Sequence, residues 1–252
     1  MSKNDTSSRS SPARRVPQRE ADDLIFGLHA ITEALANPHR KVTSLRCTQN
    51  ALPRLEGALA ARPDVKAEQV HRKELDRLTG PDAVHQGAVM TARPLKQPDL
   101  DDIDRTGIVV LLDQVTDPHN VGAIMRSCAA FAVTALVATA RHSPEGSAVL
   151  VKSASGAAEH VPFVKVTNLS RAMDELKDYG FTIIGLDSEA PETVEQLSIK
   201  PPFAIVLGAE GKGLRKLTRD TCDHLARLDL PGSIQSLNVS NAAALTLYAL
   251  TR

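Results

Sequence analysis

Chemically capable side chains cluster at three places in this chain, each just after an apolar run. Asp113, Asp117, Asn120 and then Arg126 follow the run at residues 108–112. The loop Gly208-Ala-Glu-Gly-Lys-Gly213 follows residues 203–207. Ser236, Asn238 and Ser240 come shortly after residues 225–230. Amides, a carboxylate, a guanidinium and hydroxyls are the groups that orient a substrate hydroxyl, hold a phosphate and help remove a proton. The glycine loop narrows the choice of ligand. Gly208, Gly211 and Gly213 do not make GxGxxG, and Lys212 is followed by Gly213 rather than Ser or Thr, so the dinucleotide and P-loop fingerprints both fail. The loop instead offers backbone donors and acceptors with room for a flat ligand to approach. Taken alone it is equally a tight strand-to-helix turn. Glu210, a carboxylate between glycines, has no core to support and suits pairing with a cation or a neighbouring loop.

Some of these residues have a plainer reading as helix caps. Ser236, Ser240 or Asn241 could cap the last helix, and Asn120 could cap the helix that carries Arg126. Arg126 would then sit about two turns in, facing either the ligand crevice or solvent.

The elements that must position these groups alternate. Residues 108–112 form a continuous apolar run, as in a strand buried on both faces. Residues 120–132 carry Val121, Ile124, Met125 and Cys128 at helical spacing, and 133–138 are apolar again. Residues 169–179 read as a helix, 181–186, 203–207 and 225–230 as strands, and 240–250 as an apolar helix. This order predicts a parallel sheet covered on both faces, with ligands at the carboxyl ends of its strands.

The front of the chain is different. Residues 1–22 are rich in Ser, Arg, Pro and Asp and are expected to form a disordered tail. Arg9, Arg14, Arg15 and Arg19 could touch phosphates there without sequence preference, or merely solvate the tail. Residues 23–93 read as a small α/β unit. It has a helix through Phe26, Leu28, Ile31 and Leu35, strands at 42–47 and 87–91, and helices at 52–61 and 73–78. His85 and Gln86 could reach a nucleic acid or simply turn the chain. Residues 94–106, with Pro94, Pro98 and four Asp, form a linker, and residues 107–252 a second domain.

Composition excludes several classes. The 252 residues hold 30 basic and 30 acidic side chains, with 15 Lys/Arg against 11 Asp/Glu in residues 1–95, a weak lean of the front towards an anionic partner. Cys47, Cys128 and Cys222 lie far apart, so neither a disulfide framework nor a metal site is indicated. No leader-like or membrane-spanning apolar run occurs, and a soluble cytoplasmic protein is expected.

Together the three loops resemble the SpoU branch of the SPOUT methyltransferases. The resemblance is carried by Asp113, Val115, Asp117, Pro118, Asn120, Gly122 and Arg126, by Gly208 to Gly213, and by Ser236 to Ser240, and it covers residues 108–252. The opening Phe26 to Leu35 is similar to the small ribosomal-protein-like RNA-binding domain that precedes the catalytic domain in some members. The resemblance implies a deep trefoil knot in an α/β domain, a homodimer with both subunits shaping the site, and S-adenosylmethionine held at Gly208, Leu228 and Leu237. It implies methyl transfer to a ribose 2′-hydroxyl without a metal, on a guanosine of 23S ribosomal RNA, with transfer RNA as the near alternative. A non-catalytic RNA-binding or ribosome-assembly protein is the rival from another class. The implied active-site set is Asn120, Arg126, Glu210, Ser236 and Asn238. Arg126 has the base role in the family. An ordinary Arg stays protonated far above neutrality, which suits phosphate binding better, with Glu210 and Asn238 orienting Arg126 and the loops. One departure is Asp229 between Leu228 and Leu230, where the family often has Ile-Pro-Met.

Overall fold

The computed structural model describes residues 22–80, 83–142, 154, 156–233 and 236–252. Apart from Asp22, the expected tail lies outside the described residues. The amino-terminal unit is a four-stranded sheet, in the order β1-β4-β2-β3, built from β1 (Asp23–Phe26), β2 (Val42–Cys47), β3 (Ala67–Gln69) and β4 (Ala88–Ala92). Helices α1 (Leu28–Ala36), α2 (Glu56–Ala60) and α3 (Arg72–Thr79) connect the strands. Ile25, Ile31, Leu35, Leu45, Leu55 and Met90 fill its core. Phe26, expected on the helix, instead ends β1. Gly27 separates it from α1 at φ 91°, a conformation that side chains with a Cβ resist.

The carboxy-terminal unit is a seven-stranded sheet, parallel throughout, in the order β7-β6-β5-β10-β8-β11-β9. Its strands are β5 (Ile108–Asp113), β6 (Ala135–Thr139), β7 (Phe163–Val166), β8 (Thr182–Leu186), β9 (Glu192–Thr193), β10 (Phe203–Gly208) and β11 (His224–Arg227). Side chains alternate across β5. Ile108, Val110 and Leu112 pack with α4 (Pro118–Ala130) and α7 (Val239–Leu250), whereas Val109 and Leu111 pack with α5 (Leu169–Asp178). A short α6 (Lys216–Thr221) links β10 to β11. The expected linker is not wholly free of structure. Leu100 and Ile103 are buried against the second sheet, because a 3₁₀ turn at Leu100–Asp102 folds them inward.

The two units are fastened together. Arg40, 4 % exposed, donates to both carboxylate oxygens of Glu159, with Nη2–Oε1 at 2.6 Å, and to Asp23 Oδ2 at 2.7 Å. Asn37 Nδ2 donates to Glu159 Oε2 at 2.8 Å. Burial opposes the Arg40 charge, but hydrogen bonding and attraction from Glu159 and then Asp23 outweigh it and raise its pKa above the ordinary value.

Candidate active site

The helix starts determine where the polar side chains point. Asp117 caps α4 by accepting from the backbone N–H of His119 at 2.9 Å, and Pro118 opens the first turn. Asn120 is therefore not the cap, which frees its amide for other work. At the start of α7 the cap is Asn238, whose Oδ1 accepts from Ser240 N at 2.9 Å and Ser240 Oγ at 2.5 Å. The serines and Asn241 do not fill that role.

These two helix starts converge on Glu210. Its Oε1 accepts from Asn238 Nδ2 at 2.6 Å, Asn120 Nδ2 at 3.1 Å and Val239 N at 3.3 Å. Asn238 Nδ2 also donates to Asn120 Oδ1 at 3.0 Å. The carboxylate thus lies at the amino terminus of α7, where the helix dipole favours negative charge, and joins residues 90 and 28 positions away in the chain. No hydrogen bond commits its second oxygen among the described residues.

Beside this cluster is a cavity of about 540 Å³ at the carboxyl ends of β8, β10 and β11. Its wall includes Gly208, Leu228, Leu237, Glu210, Ser236 and Asn238, with Leu186, Leu207 and Leu230 adding apolar surface. Gly208 is dictated by packing. A Cβ there would fall 2.2 Å from the carbonyl carbon of Gly213, because the loop folds back through Gly213 N donating to Ala209 O at 2.9 Å. Gly211 and Gly213 take φ 75° and 64° to make that return. β11 ends at Arg227, so Leu228 and Leu230 leave the sheet and line the cavity rather than extending the strand. Size, apolar walls and exposed loop backbone suit an adenine-bearing cofactor of the S-adenosylmethionine kind.

Arg126 stands apart. It is exposed on α4, does not line the cavity, and makes no hydrogen bond or ion pair among the described residues. The partners of Glu210 and Asn238 are thus Asn120 and the α7 backbone, not Arg126. His85 and Gln86 turn the chain. His85 is buried, meets Asp76 Oδ1 through Nε2 at 2.9 Å and accepts Gly87 N at 3.0 Å, while Gln86 Oε1 accepts Leu28 N at 2.9 Å.

The sequence reading missed Arg215. Asp113, fully buried at the end of β5, accepts from Arg215 N at 2.9 Å and Nε at 2.6 Å. A buried carboxylate needs such a partner, but 102 residues separate the two and no local pattern links them. No helix among the described residues is long and apolar enough to cross a membrane. No group of three or more metal-ligating side chains was found among them either.

Comparison with known proteins agrees with this geometry. The SpoU rRNA Methylase family matches residues 107–248, and the RNA 2'-O ribose methyltransferase substrate binding family matches residues 24–98. The 23S rRNA (guanosine-2'-O-)-methyltransferase RlmB of Photobacterium profundum is 37 % identical over 92 % of this chain and 98 % of its own. That of Vibrio parahaemolyticus is 38 % identical over 92 % and 97 %. The SpoU methyltransferase AviRb from Streptomyces viridochromogenes, solved in complex with the cofactor AdoMet, superposes with a TM-score of 0.76 at 23 % identity, covering 92 % of this chain and 89 % of that one.

Proposed function

This chain belongs to the SpoU rRNA methylase family, and on that premise we propose that it methylates the ribose 2′-hydroxyl of a guanosine in 23S ribosomal RNA with S-adenosylmethionine. The observation that carries the reading is the Glu210–Asn238–Asn120 cluster at the mouth of the 540 Å³ cavity. Relatives that match 92 % of this chain and are named as 23S rRNA (guanosine-2'-O-)-methyltransferases support the substrate.

The cofactor would rest against Gly208, Leu228 and Leu237 and, when bound, supply a methyl group already activated on a sulfonium. The chain's own task is alignment and proton removal. Ser236 and Asn238 are positioned to hold the ribose edge at the cavity wall. Glu210, clamped through Oε1, keeps the two loops in register and presents Oε2 to the entering group. Asn120 fixes the orientation of Asn238. Arg126 binds the phosphate beside the target ribose, and its exposure with no ion-pair partner supports that role over one within the cluster.

Residues 23–93 form the RNA-binding, ribosomal-protein-like domain, residues 94–106 the linker and 107–252 the methyltransferase domain. The last of these threads a deep trefoil knot, an exception to the usual unknotted rule. The loops after β10 and β11 wrapping into one cavity support that threading. Between the two units a groove of about 860 Å³ carries Lys41, Arg93, Lys96 and Lys165, basic groups suited to RNA phosphates, beside Asp23 and Glu159, which are engaged by Arg40. A homodimer fits the apolar Leu245 and Tyr248, each 46 % exposed on α7. The site of action is the bacterial cytoplasm, where the substrate resides. The test is methyl transfer to unmodified large-subunit RNA against transfer RNA, with an Asn238 variant as control.

A further inference from the structure

The carboxyl rim of the parallel sheet carries a second cavity that the cofactor site does not use. It measures about 280 Å³ and is lined by Thr139, Arg141, Thr167, Asn168, Ser170 and Arg215 among others. Strand register places it relative to the active site. Gly208 pairs with Asp113, Leu112 with Ala138, and Thr139 with Val166, so Gly208, Asp113 and Thr139 stand in one row. Two strand spacings, about 10 Å, separate the glycine loop from this cavity.

Its chemistry is one-sided. Arg141 and Arg215 bring two guanidinium groups, and no Asp or Glu lines it among the described residues. Arg215 is 44 % exposed. Asp113 holds its Nε and backbone N–H from behind, which fixes the guanidinium while leaving both Nη atoms uncommitted among the described residues. The ten-residue α5 starts at the cavity with Asn168 as its cap, accepting from Arg171 N at 3.2 Å. The N–H groups of Leu169 and Ser170 have no acceptor within the helix, and such groups favour an anion. Ser170 is 9 % exposed and adds a hydroxyl to the cavity wall.

We infer that this cavity is a phosphate subsite, holding a phosphodiester of the RNA strand whose target ribose enters the site beside Glu210. The inference rests on the RNA methyltransferase reading and extends it. Phosphate contacts set register rather than sequence, so the subsite fixes which nucleotide along the strand reaches the cavity at Gly208.

The test uses the full chain and large-subunit RNA fragments, with RNA affinity measured over a salt series. Arg141→Glu alters an exposed side chain and should fold. Arg215→Lys keeps a cation beside Asp113 but loses the guanidinium fork. Both variants should weaken RNA binding by about tenfold. The log–log salt slope of Arg141→Glu should fall by about one, with affinity for S-adenosylmethionine unaltered. Unchanged RNA affinity and salt slope in both variants would overturn the subsite alone. Inorganic phosphate that binds the wild type and not Arg141→Glu, with RNA affinity equal in the two, would assign the cavity to free phosphate and overturn the RNA assignment. Wild-type protein that binds no RNA at all would overturn the reading and the subsite together.

Discussion

Glu210 Oε1 and Asn238 Nδ2 lie 2.6 Å apart, and the same carboxylate oxygen takes Asn120 and the first amide of α7. The contact ties the loop after β10 to the start of the last helix. Asn238 serves both ends: its Nδ2 reaches Glu210, and its Oδ1 caps α7 through Ser240.

The two jobs of Asn238 can be separated. Asn238→Ala removes both and should cost about 1 kcal/mol through the lost cap alone, besides abolishing methyl transfer. Asn238→Asp keeps an acceptor for Ser240 N but sets a second carboxylate against Glu210. It should retain more helix stability and still lose transfer. Urea unfolding alongside a transfer assay reads both, and wild-type activity in the Asp variant would refute the role of the amide.

Gly208→Ala should reduce S-adenosylmethionine affinity by at least about tenfold. The added methyl would meet backbone atoms of Gly213 and Leu214 at 2.2–2.5 Å, so the loop that walls the cavity has to open. Calorimetric titration with the cofactor measures this, and unaltered affinity would show that the loop's shape is not what binds.

Arg126→Lys distinguishes a bidentate phosphate contact from simple positive charge. The fork is lost while the charge stays. KM for RNA should rise severalfold, with cofactor affinity untouched because Arg126 does not line the cavity. Full activity with unchanged KM would exclude an essential guanidinium.

Glu159→Ala should loosen the two units. It leaves Arg40, 4 % exposed, with only Asp23 as its carboxylate partner. Breaking a buried pair from one side costs about 3–5 kcal/mol, and the remaining Asp23 contact should hold the loss to the lower end. Limited proteolysis should then cut within residues 94–99 faster than in the wild type. An unchanged cleavage rate would mean that Glu159 does not secure the docking.

The sequence made the ligand-facing rim readable because polar, glycine-bearing stretches there interrupt otherwise apolar strands. Asn120, Glu210, Ser236 and Asn238 could all be named from it. Cap assignments were less legible, since Asp117 and Asn238 compete with neighbours of equal propensity and only backbone geometry decides between them. β1 was missed because four residues with Phe26 at their end also satisfy the helical spacing of Leu28, Ile31 and Leu35. β7 and β9, at four and two residues, are too short to show a period. The Asp113–Arg215 and Arg40–Glu159 pairs join positions more than a hundred residues apart, and no local signal marks them.

The most direct test is transfer of labelled methyl from S-adenosylmethionine to unmodified 23S ribosomal RNA, with transfer RNA in parallel and Asn238→Ala as the control protein. The account predicts label on one guanosine ribose of the ribosomal RNA, none on transfer RNA, and none with the variant. Label confined to transfer RNA would contradict the substrate. No label on either RNA while the cofactor still binds would contradict the enzyme reading and favour an RNA-binding assembly factor.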